Sequence, residues 1–102
     1  MKDIKVGEIY TFKLTSGEEV VAKVTELLEN NWISITSPAS IMMMQSGNPG
    51  MGPSLITQDI TVSVALNTSN VVMVVLTDEA IRTKYIEATT GLTLPDKKVL
   101  LG

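Results

Sequence analysis

The sequence predicts a mainly β fold: a five-stranded, strongly bent barrel followed by a short C-terminal helix. Three observations predict it. Apolar and polar residues alternate with a period of two through most of the first 76 positions, as in strands with one solvated face. Turn-forming residues separate these stretches, and a helical apolar period begins only after Leu76. The length, 102 residues, fits a single domain over residues 1–102.

The first three strands follow from the alternation and from the turns between them. Strand one is expected at about residues 8–15 and ends at Ser16-Gly17, where glycine tolerates positive φ. Strand two then runs to about Leu28. The segment Glu29-Asn30-Asn31 forms the next turn, because asparagine accepts left-handed backbone conformations. Strand three begins at Trp32.

The later strands carry more interruptions. Pro38 donates no ladder hydrogen bond, so the chain is expected to bend there or lie at an edge. Residues 46–54 contain three Gly and two Pro and are expected to form a loop or hairpin tip without ladder pairing. Strand four is predicted over residues 60–66. Strand five, residues 71–76, is apolar on both faces, which indicates cover by the core or by a neighbouring subunit.

The C-terminal part changes to a helical period. A helix is expected over about residues 78–90, with Thr77 as its cap and an apolar stripe that closes one end of the barrel. The stripe consists of Ile81, Tyr85 and Ala88. Residues 92–102 are interpreted as a loosely held extension. The barrel itself is predicted to occupy about residues 8–76.

Composition excludes several function classes. The chain has no Cys and no His, so it lacks the usual zinc ligands and the usual catalytic-triad partners. We therefore expect no metal, no cofactor and no enzymatic activity. The apolar runs are too short to cross a bilayer, and the first residues lack a signal-peptide core. The expectation is a soluble cytoplasmic protein without a membrane partner.

Charge and hydrophobicity bear on partners. Asp59 is the only charged side chain between Asn30 and Thr77, so the middle of the chain has no Lys or Arg with which to neutralise phosphates. Hydrophobic residues make up 44% of the chain and charged residues only 19%. In so small a body, part of the apolar surface is expected to meet another subunit.

Two segments resemble the motifs of one family. An OB-fold places a helix between its third and fourth strands, where this chain has the Gly/Pro segment, so an SH3-like or Sm-like barrel is favoured. Residues 14–24, Leu-Thr-Ser-Gly-Glu-Glu-Val-Val-Ala-Lys-Val, resemble the first motif of Sm-like proteins, with Ala22 in place of the second glycine. Residues 66–74, Leu-Asn-Thr-Ser-Asn-Val-Val-Met-Val, are similar to the second motif. Within this family, the sequence resembles small phage-encoded Sm-like proteins.

The resemblance implies single-stranded RNA binding, although the RNA-binding positions differ. Family members use an Asp and an Asn before the third strand and a basic residue in the later turn. This chain has Leu28 or Glu29, Asn31 or Trp32, and Asn67 at those places. The candidate RNA contacts are Asn31, Trp32, Asn67 and Asn70. The indole of Trp32 can stack on a base or serve packing alone.

The resemblance also implies assembly into a ring. The last strand of one Sm-like subunit adds to the edge of the next, so a cyclic homo-oligomer of about five to seven copies is expected. The predicted subunit interface is the last strand, formed by Val71, Val72, Met73, Val74, Val75 and Leu76. A competing hypothesis is a protein-assembly scaffold without nucleic-acid binding. Its predicted partner surface consists of Met42, Met43, Met44 and Met51, residues that can alternatively fill the barrel.

Overall fold

The computed structural model describes residues 3–55, 57, 59 and 62–90. This part of the chain contains six strands in one antiparallel sheet and one α-helix. The strands are β1 (Ile9–Leu14), β2 (Glu19–Leu27), β3 (Trp32–Met43), β4 (Pro49–Pro53), β5 (Ser63–Asn67) and β6 (Val71–Leu76). A 3-10 helix (Thr68–Asn70) joins β5 to β6, and α1 (Glu79–Thr90) follows.

The sheet is bent, and each of the first four strands pairs with the next one along the chain. The order is β4-β3-β2-β1-β6, and β5 pairs with the first half of β3 while β4 pairs with the second half. The mainly β fold class with a C-terminal helix is therefore confirmed. The sheet is not closed, because in the part of the chain that the structure describes β5 pairs only with β3 and β6 only with β1.

The prediction of five strands, with no ladder in residues 46–54, is wrong. Residues Pro49–Pro53 form β4, and only the short segment from Met44 to Asn48 is the hairpin tip. The Met44 N–H donates to the Asn48 carbonyl, and the Ser54 N–H donates to the Pro38 carbonyl. Every second residue from Asn48 to Ser54 therefore bonds to β3, and Pro49 and Pro53 lie between these positions with their backbone groups directed away from β3. A proline there needs no N–H, so the strand forms despite its composition.

The predicted turns are confirmed in their backbone conformation. Gly17 has φ +92° in the β1–β2 turn. Asn30 and Asn31 both have positive φ, 60° and 69°, and the Trp32 N–H donates to the Glu29 carbonyl. This pattern is a type I′ turn, whose twist matches that of the strands it joins.

A β-bulge produces the bend expected at Pro38. Val21 pairs with Ala39 and Lys23 with Thr36, so two β3 residues, Ser37 and Pro38, stand opposite one β2 residue. The extra residue shifts the alternation of β3. Ile33 and Ile35 consequently belong to one core and Ala39 to the opposite face of the sheet.

Two apolar cores lie on the two faces. The concave face holds the larger core, in which Phe12, Ala22 and Val24 are fully buried and Ile33, Ile35 and Tyr10 nearly so. The opposite face packs against α1 through Ile9, Val21, Ala39 and Tyr85. The expectation that the helix closes an end of the barrel is wrong, because α1 lies across the convex face instead. Ile81 packs there as expected, together with Ile86.

The helix lies close to its predicted bounds, but the residue that caps it differs from the one predicted. The Asp78 carboxylate accepts the N–H groups of Ala80 (3.1 Å) and Ile81 (3.4 Å), so Asp78 is the N-cap. The Thr77 hydroxyl, expected to cap, lies 2.9 Å from the Thr11 hydroxyl within hydrogen-bond distance. The predicted extension at residues 92–102 lies outside the described residues, as does Ile60 of predicted strand four.

Two hydrogen bonds of the Tyr85 hydroxyl, on α1, connect β2 and β3 beside the bulge. The Tyr85 hydroxyl accepts the Lys23 N–H at 3.2 Å and donates to the Thr36 carbonyl at 2.8 Å. Lys23 and Thr36 are ladder partners, so the phenol bridges the two strands where the bulge separates them. The Tyr85 side chain is only 3% exposed, and burial raises the pKa of its phenol above the ordinary tyrosine value.

Candidate assembly edges and nucleic-acid site

The β6 strand is apolar on its exposed side as well as on its buried side. Val71 and Val74 pack against the core of the concave face. The other four predicted interface residues are more than half exposed: Val72 56%, Met73 68%, Val75 64% and Leu76 57%. Within the described residues β6 has a strand partner on one side only, β1. A long, apolar strand edge of this kind is a template for pairing with another chain.

The ladder fixes which β6 backbone groups face the free edge. The Thr77 N–H donates to the Ile9 carbonyl, and the same register continues through β1 and β6. Bonded and non-bonded pairs alternate in an antiparallel ladder, so Val75 and Met73 bond to β1. The N–H and C=O groups of Val74 and Leu76 consequently point away from β1.

Within the described residues the β5 strand likewise has a strand partner on one side only, β3. The Thr68 N–H donates to the Asn31 carbonyl at 2.7 Å, which sets the alternation along β5. By that alternation the backbone groups of Ser63, Ala65 and Asn67 point away from β3. Each of these three residues carries an N–H, so the β5 edge offers a complete set of donors and acceptors.

The β4 edge is different, because proline occupies two of its three outward positions. The same alternation places the backbone of Pro49, Met51 and Pro53 on the side away from β3. Only Met51 supplies an N–H there. Prolines at this spacing block strand addition, so β5 and β6 are the edges suited to pairing.

Three of the four candidate RNA contacts come together at one end of the sheet. Asn31 lies in the β2–β3 turn, and Trp32 is the ladder partner of Asn67. The Asn31 carbonyl also accepts the Thr68 hydroxyl at 2.8 Å, which ties the turn to the 3-10 helix. The Trp32 side chain is 40% exposed, so part of the indole is available to a ligand. We call Asn31, Trp32 and Asn67 the turn cluster.

The fourth candidate, Asn70, lies at the far end of the 3-10 helix. Its carbonyl accepts the Thr15 N–H at 2.8 Å, which joins it to the β1–β2 turn instead. The Asn67 side chain is already used locally, since its carbonyl oxygen accepts the Ser69 N–H at 2.9 Å and caps the 3-10 helix. The turn cluster therefore offers an aromatic face and amide groups without a cationic side chain of its own.

The four methionines of the predicted partner surface do not form one surface. Met51 packs in the core beneath α1. By strand alternation Met42 and Met44 lie on one face of the β3–β4 hairpin and Met43 on the other. A Cβ added to Gly50 would lie 2.7 Å from the Met44 sulfur, so glycine leaves room for that side chain. Met42, Met43 and Met44 are all exposed.

The described residues contain neither a cluster of metal-ligating side chains nor a membrane-spanning helix. Over residues 3–55, 57, 59 and 62–90, no group of three or more acidic, His or Cys side chains is arranged to hold a metal ion. No helix within those ranges has the length and apolar character to span a membrane. No protein-family model and no curated protein sequence matches the chain.

Sequence reasoning missed two features of these surfaces. The two prolines on the outer edge of β4 could have been predicted from the sequence, because Pro49 and Pro53 are four residues apart and strand alternation directs their backbone groups to the same side. The Tyr85 bridge could not, because it depends on where the bulge opens the ladder. Tyr85 was assigned only to an apolar stripe.

Proposed function

We propose that the chain is a nonenzymatic Sm-like barrel that assembles edge to edge into a cyclic homo-oligomer and binds single-stranded RNA. In this proposal β6 of one copy pairs with β5 of the next, and the ring contains about five to seven copies. The site of action is the cytoplasm, that of the host if the chain is phage-encoded. The observation that carries the proposal is the apolar edge of β6, which has no strand partner among the described residues on the side away from β1.

The edge geometry supports β5 as the partner of β6. Val74 and Leu76 present backbone donors and acceptors on β6, and Ser63, Ala65 and Asn67 present them on β5. The alternative edge, β4, lacks two of three donors. Pairing of β6 with β5 would also join the two ends of the open sheet through a neighbour, so each copy would lose both exposed edges.

The experiment is the solution mass by light scattering across the micromolar range, with edge variants. The wild type is expected at about five to seven times the 11.0 kDa of one chain. Leu76→Lys places a charge at the β6 edge, and Ala65→Pro removes an outward N–H from β5, so each is expected to give monomers. Leu27→Lys is the matched control, because Leu27 is 52% exposed but lies on the interior strand β2. A monomeric wild type, or edge variants that stay assembled, would overturn the proposal.

RNA binding rests on a separate observation, the partly exposed Trp32 beside Asn31 and Asn67. Trp32 is the only tryptophan, so its fluorescence reports directly on a base stacked against it. Base stacking on an aromatic side chain contributes about 1–3 kcal/mol per base, so Trp32→Ala is expected to weaken the binding of a labelled oligo(U) or oligo(A) by about 5- to 150-fold. Leu28→Ala is the control, because Leu28 is equally exposed, 40%, and adjoins the same turn.

The alternative is a protein-assembly scaffold that uses the exposed hairpin methionines. Salt-dependent binding of the oligonucleotides by the assembled protein supports the RNA proposal. Absence of binding at low salt, together with partner capture that Met43→Ser abolishes, supports the scaffold instead. The exposed position of Met43, 73%, makes this substitution harmless to either core.

A further inference from the structure

We propose that the convex face of the sheet carries a docking groove beside α1, and that its occupant is an amphipathic helix of a partner protein whose apolar stripe is flanked by Lys or Arg. The groove is bounded by the first turn of α1, by β6 and by the β3–β4 hairpin. It lies within one copy of the chain, so this contact depends neither on ring assembly nor on RNA binding.

The helix α1 covers only part of the convex face. It begins shortly after β6, and its last turns, at Ala88 and Thr89, lie beside β4, so it crosses the strands of the sheet. Beside it, the same face stays exposed at both rims. Val75 is 64% exposed on β6, and Met43 is 73% exposed at the end of β3. The apolar surface on which α1 packs therefore continues past the helix.

Strand alternation places these apolar side chains on the convex face. Val74 packs in the concave core, so its neighbours Met73 and Val75 project from the other side. On β3, Ile41 packs against the core beneath α1, and Met43 lies two residues further on the same face. Flexible methionine side chains at the rims can adapt to the side chains of a partner.

The size of the groove fits a short stretch of helix. Its volume is about 490 Å³. From β6 across β1 and β2 to β3 there are three strand spacings, about 14 Å, which is the length of about nine helical residues. An extended peptide fits less well, because on the face of a sheet its N–H and C=O groups would have no ladder partners. A helix bonds its own backbone groups and can bury one apolar stripe.

The charged groups of the groove specify the flanks of the partner helix. Glu19 and Asp78 line the groove, and no Lys or Arg is among the described residues that line it. Lys13, the ladder partner of Glu19, lines the adjoining cavity on β6 and β1. Covering two carboxylates with a purely apolar partner is costly, whereas Lys or Arg beside the stripe supplies charge-assisted hydrogen bonds to them.

A second copy of this chain is a poorer source of that helix. Within the described residues α1 is the only α-helix. Its apolar residues Ile81, Tyr85 and Ile86 already pack in the core of their own copy. No apolar stripe of α1 is left over for a neighbour, so a different protein is the favoured occupant.

The test uses two labelled model peptides of about 18 residues, or five helical turns. Both carry the same leucine stripe, and the other positions are Lys in one peptide and Glu in the other. Fluorescence anisotropy measures their affinity for the full-length chain. The groove variant is Met43→Ser. Met42→Ser is the matched control, because Met42 is also exposed but lies on the opposite face of the hairpin.

A second pair of variants tests the carboxylates. Glu19→Gln combined with Asp78→Asn removes both charges and keeps the helix cap, since Asn caps a helix about as well as Asp. Glu26→Gln combined with Glu29→Gln removes the same charge from residues outside the groove lining. Circular dichroism establishes that every variant retains the fold.

The proposal predicts that the lysine peptide binds and that the glutamate peptide binds about tenfold more weakly or not at all. Met43→Ser should weaken binding of the lysine peptide at least about tenfold, the order expected for loss of a buried methionine. Met42→Ser should leave it within about twofold, as for a surface substitution. The change at Glu19 and Asp78 should weaken it about fivefold. The change at Glu26 and Glu29 should leave it within about twofold.

Three results would overturn the proposal. The first is absence of binding of the lysine peptide to the wild type. The second is equal weakening by Met43→Ser and Met42→Ser, which would place the peptide elsewhere. The third is equal weakening by the two carboxylate pairs, or equal affinity for both peptides, because either would show that the groove does not select a basic helix.

Discussion

The Tyr85 bridge allows one stabilising interaction to be tested in isolation. Tyr85→Phe removes a single oxygen atom and keeps the aromatic ring in the core beneath α1. The substitution leaves the Lys23 N–H and the Thr36 carbonyl without the hydroxyl that now joins them at 3.2 and 2.8 Å. The bulge separates the two strands at this point, so the two groups lose the partner that the buried phenol of Tyr85 supplies.

The magnitude follows from that burial. A buried polar group left without a partner costs about 1–3 kcal/mol, which we expect as the loss in free energy of unfolding. The loss is a large share of the roughly 5–15 kcal/mol that stabilises a domain. Urea unfolding of wild type and variant, followed by circular dichroism, measures it, and an unchanged slope against urea shows that the unfolding reaction is the same.

Tyr10→Phe is the matched control, because Tyr10 is the only other tyrosine and is buried to a similar extent, 5% exposed. Its hydroxyl accepts the Lys5 N–H at 2.9 Å and donates to the Asp3 carbonyl at 3.4 Å. The Tyr10 hydroxyl joins the segment before β1 and does not bridge two strands of the sheet, so the cost of its loss is expected to stay below about 1 kcal/mol. Equal losses in the two variants, or no loss in Tyr85→Phe, would refute the bridge as a stabilising element.

Three further predictions concern the titration of Tyr85, the packing of Phe12 and the prolines of β4. Because the pKa of Tyr85 is raised by burial, its neutral phenol stabilises the fold fully below the unfolded-state pKa, and this stability is lost as pH rises through the higher folded-state pKa; urea unfolding at increasing alkaline pH should show a smaller decline in Tyr85→Phe than in wild type. Phe12→Ala should lower the free energy of unfolding by about 3–5 kcal/mol, because the side chain is fully buried; a loss under about 1 kcal/mol would contradict the assigned core. Replacing both Pro49 and Pro53 by Thr should restore two outward donors on β4 and increase the solution mass, whereas an unchanged mass would show that the prolines do not block this edge.

Much of the fold was predictable because it depends on local patterns. The alternation of Tyr10, Phe12 and Leu14 against polar neighbours predicted β1, and the two asparagines predicted the turn before β3. Each of these signals reflects a backbone preference or a two-residue period that acts within a few positions. The structure bears out these predictions nearly at the predicted boundaries.

The errors occurred where tertiary context outweighs local preference. Residues 49–53 were predicted as a loop because Pro and Gly disfavour ladders, yet their spacing leaves the prolines at positions that need no donor to β3. The bulge at Ser37 and Pro38 places Ala39 on the face against which α1 packs. Pro38 predicts a bend in the strand. Because the bulge shifts the alternation by one residue, the sequence does not predict on which face of the sheet the residues after the bend lie.

Part of the candidate site could also be predicted from the sequence. Trp32 and Asn67 were chosen by resemblance, and their pairing is a consequence of the β3–β5 register. Asn70 is a candidate because it lies in the segment, residues 66–74, that resembles the second motif. The 3-10 helix carries it to the β1–β2 turn, a separation that follows from the geometry of that single turn.

The most direct test of assembly through the β6 edge is amide hydrogen exchange at Val74 and Leu76, measured by NMR over a range of protein concentration. Assembly through this edge predicts that these two amides exchange slowly in concentrated protein, as slowly as those of Met73 and Val75, and exchange quickly on dilution to monomers. Rapid exchange of Val74 and Leu76 at every concentration, with Met73 and Val75 still protected, would contradict it.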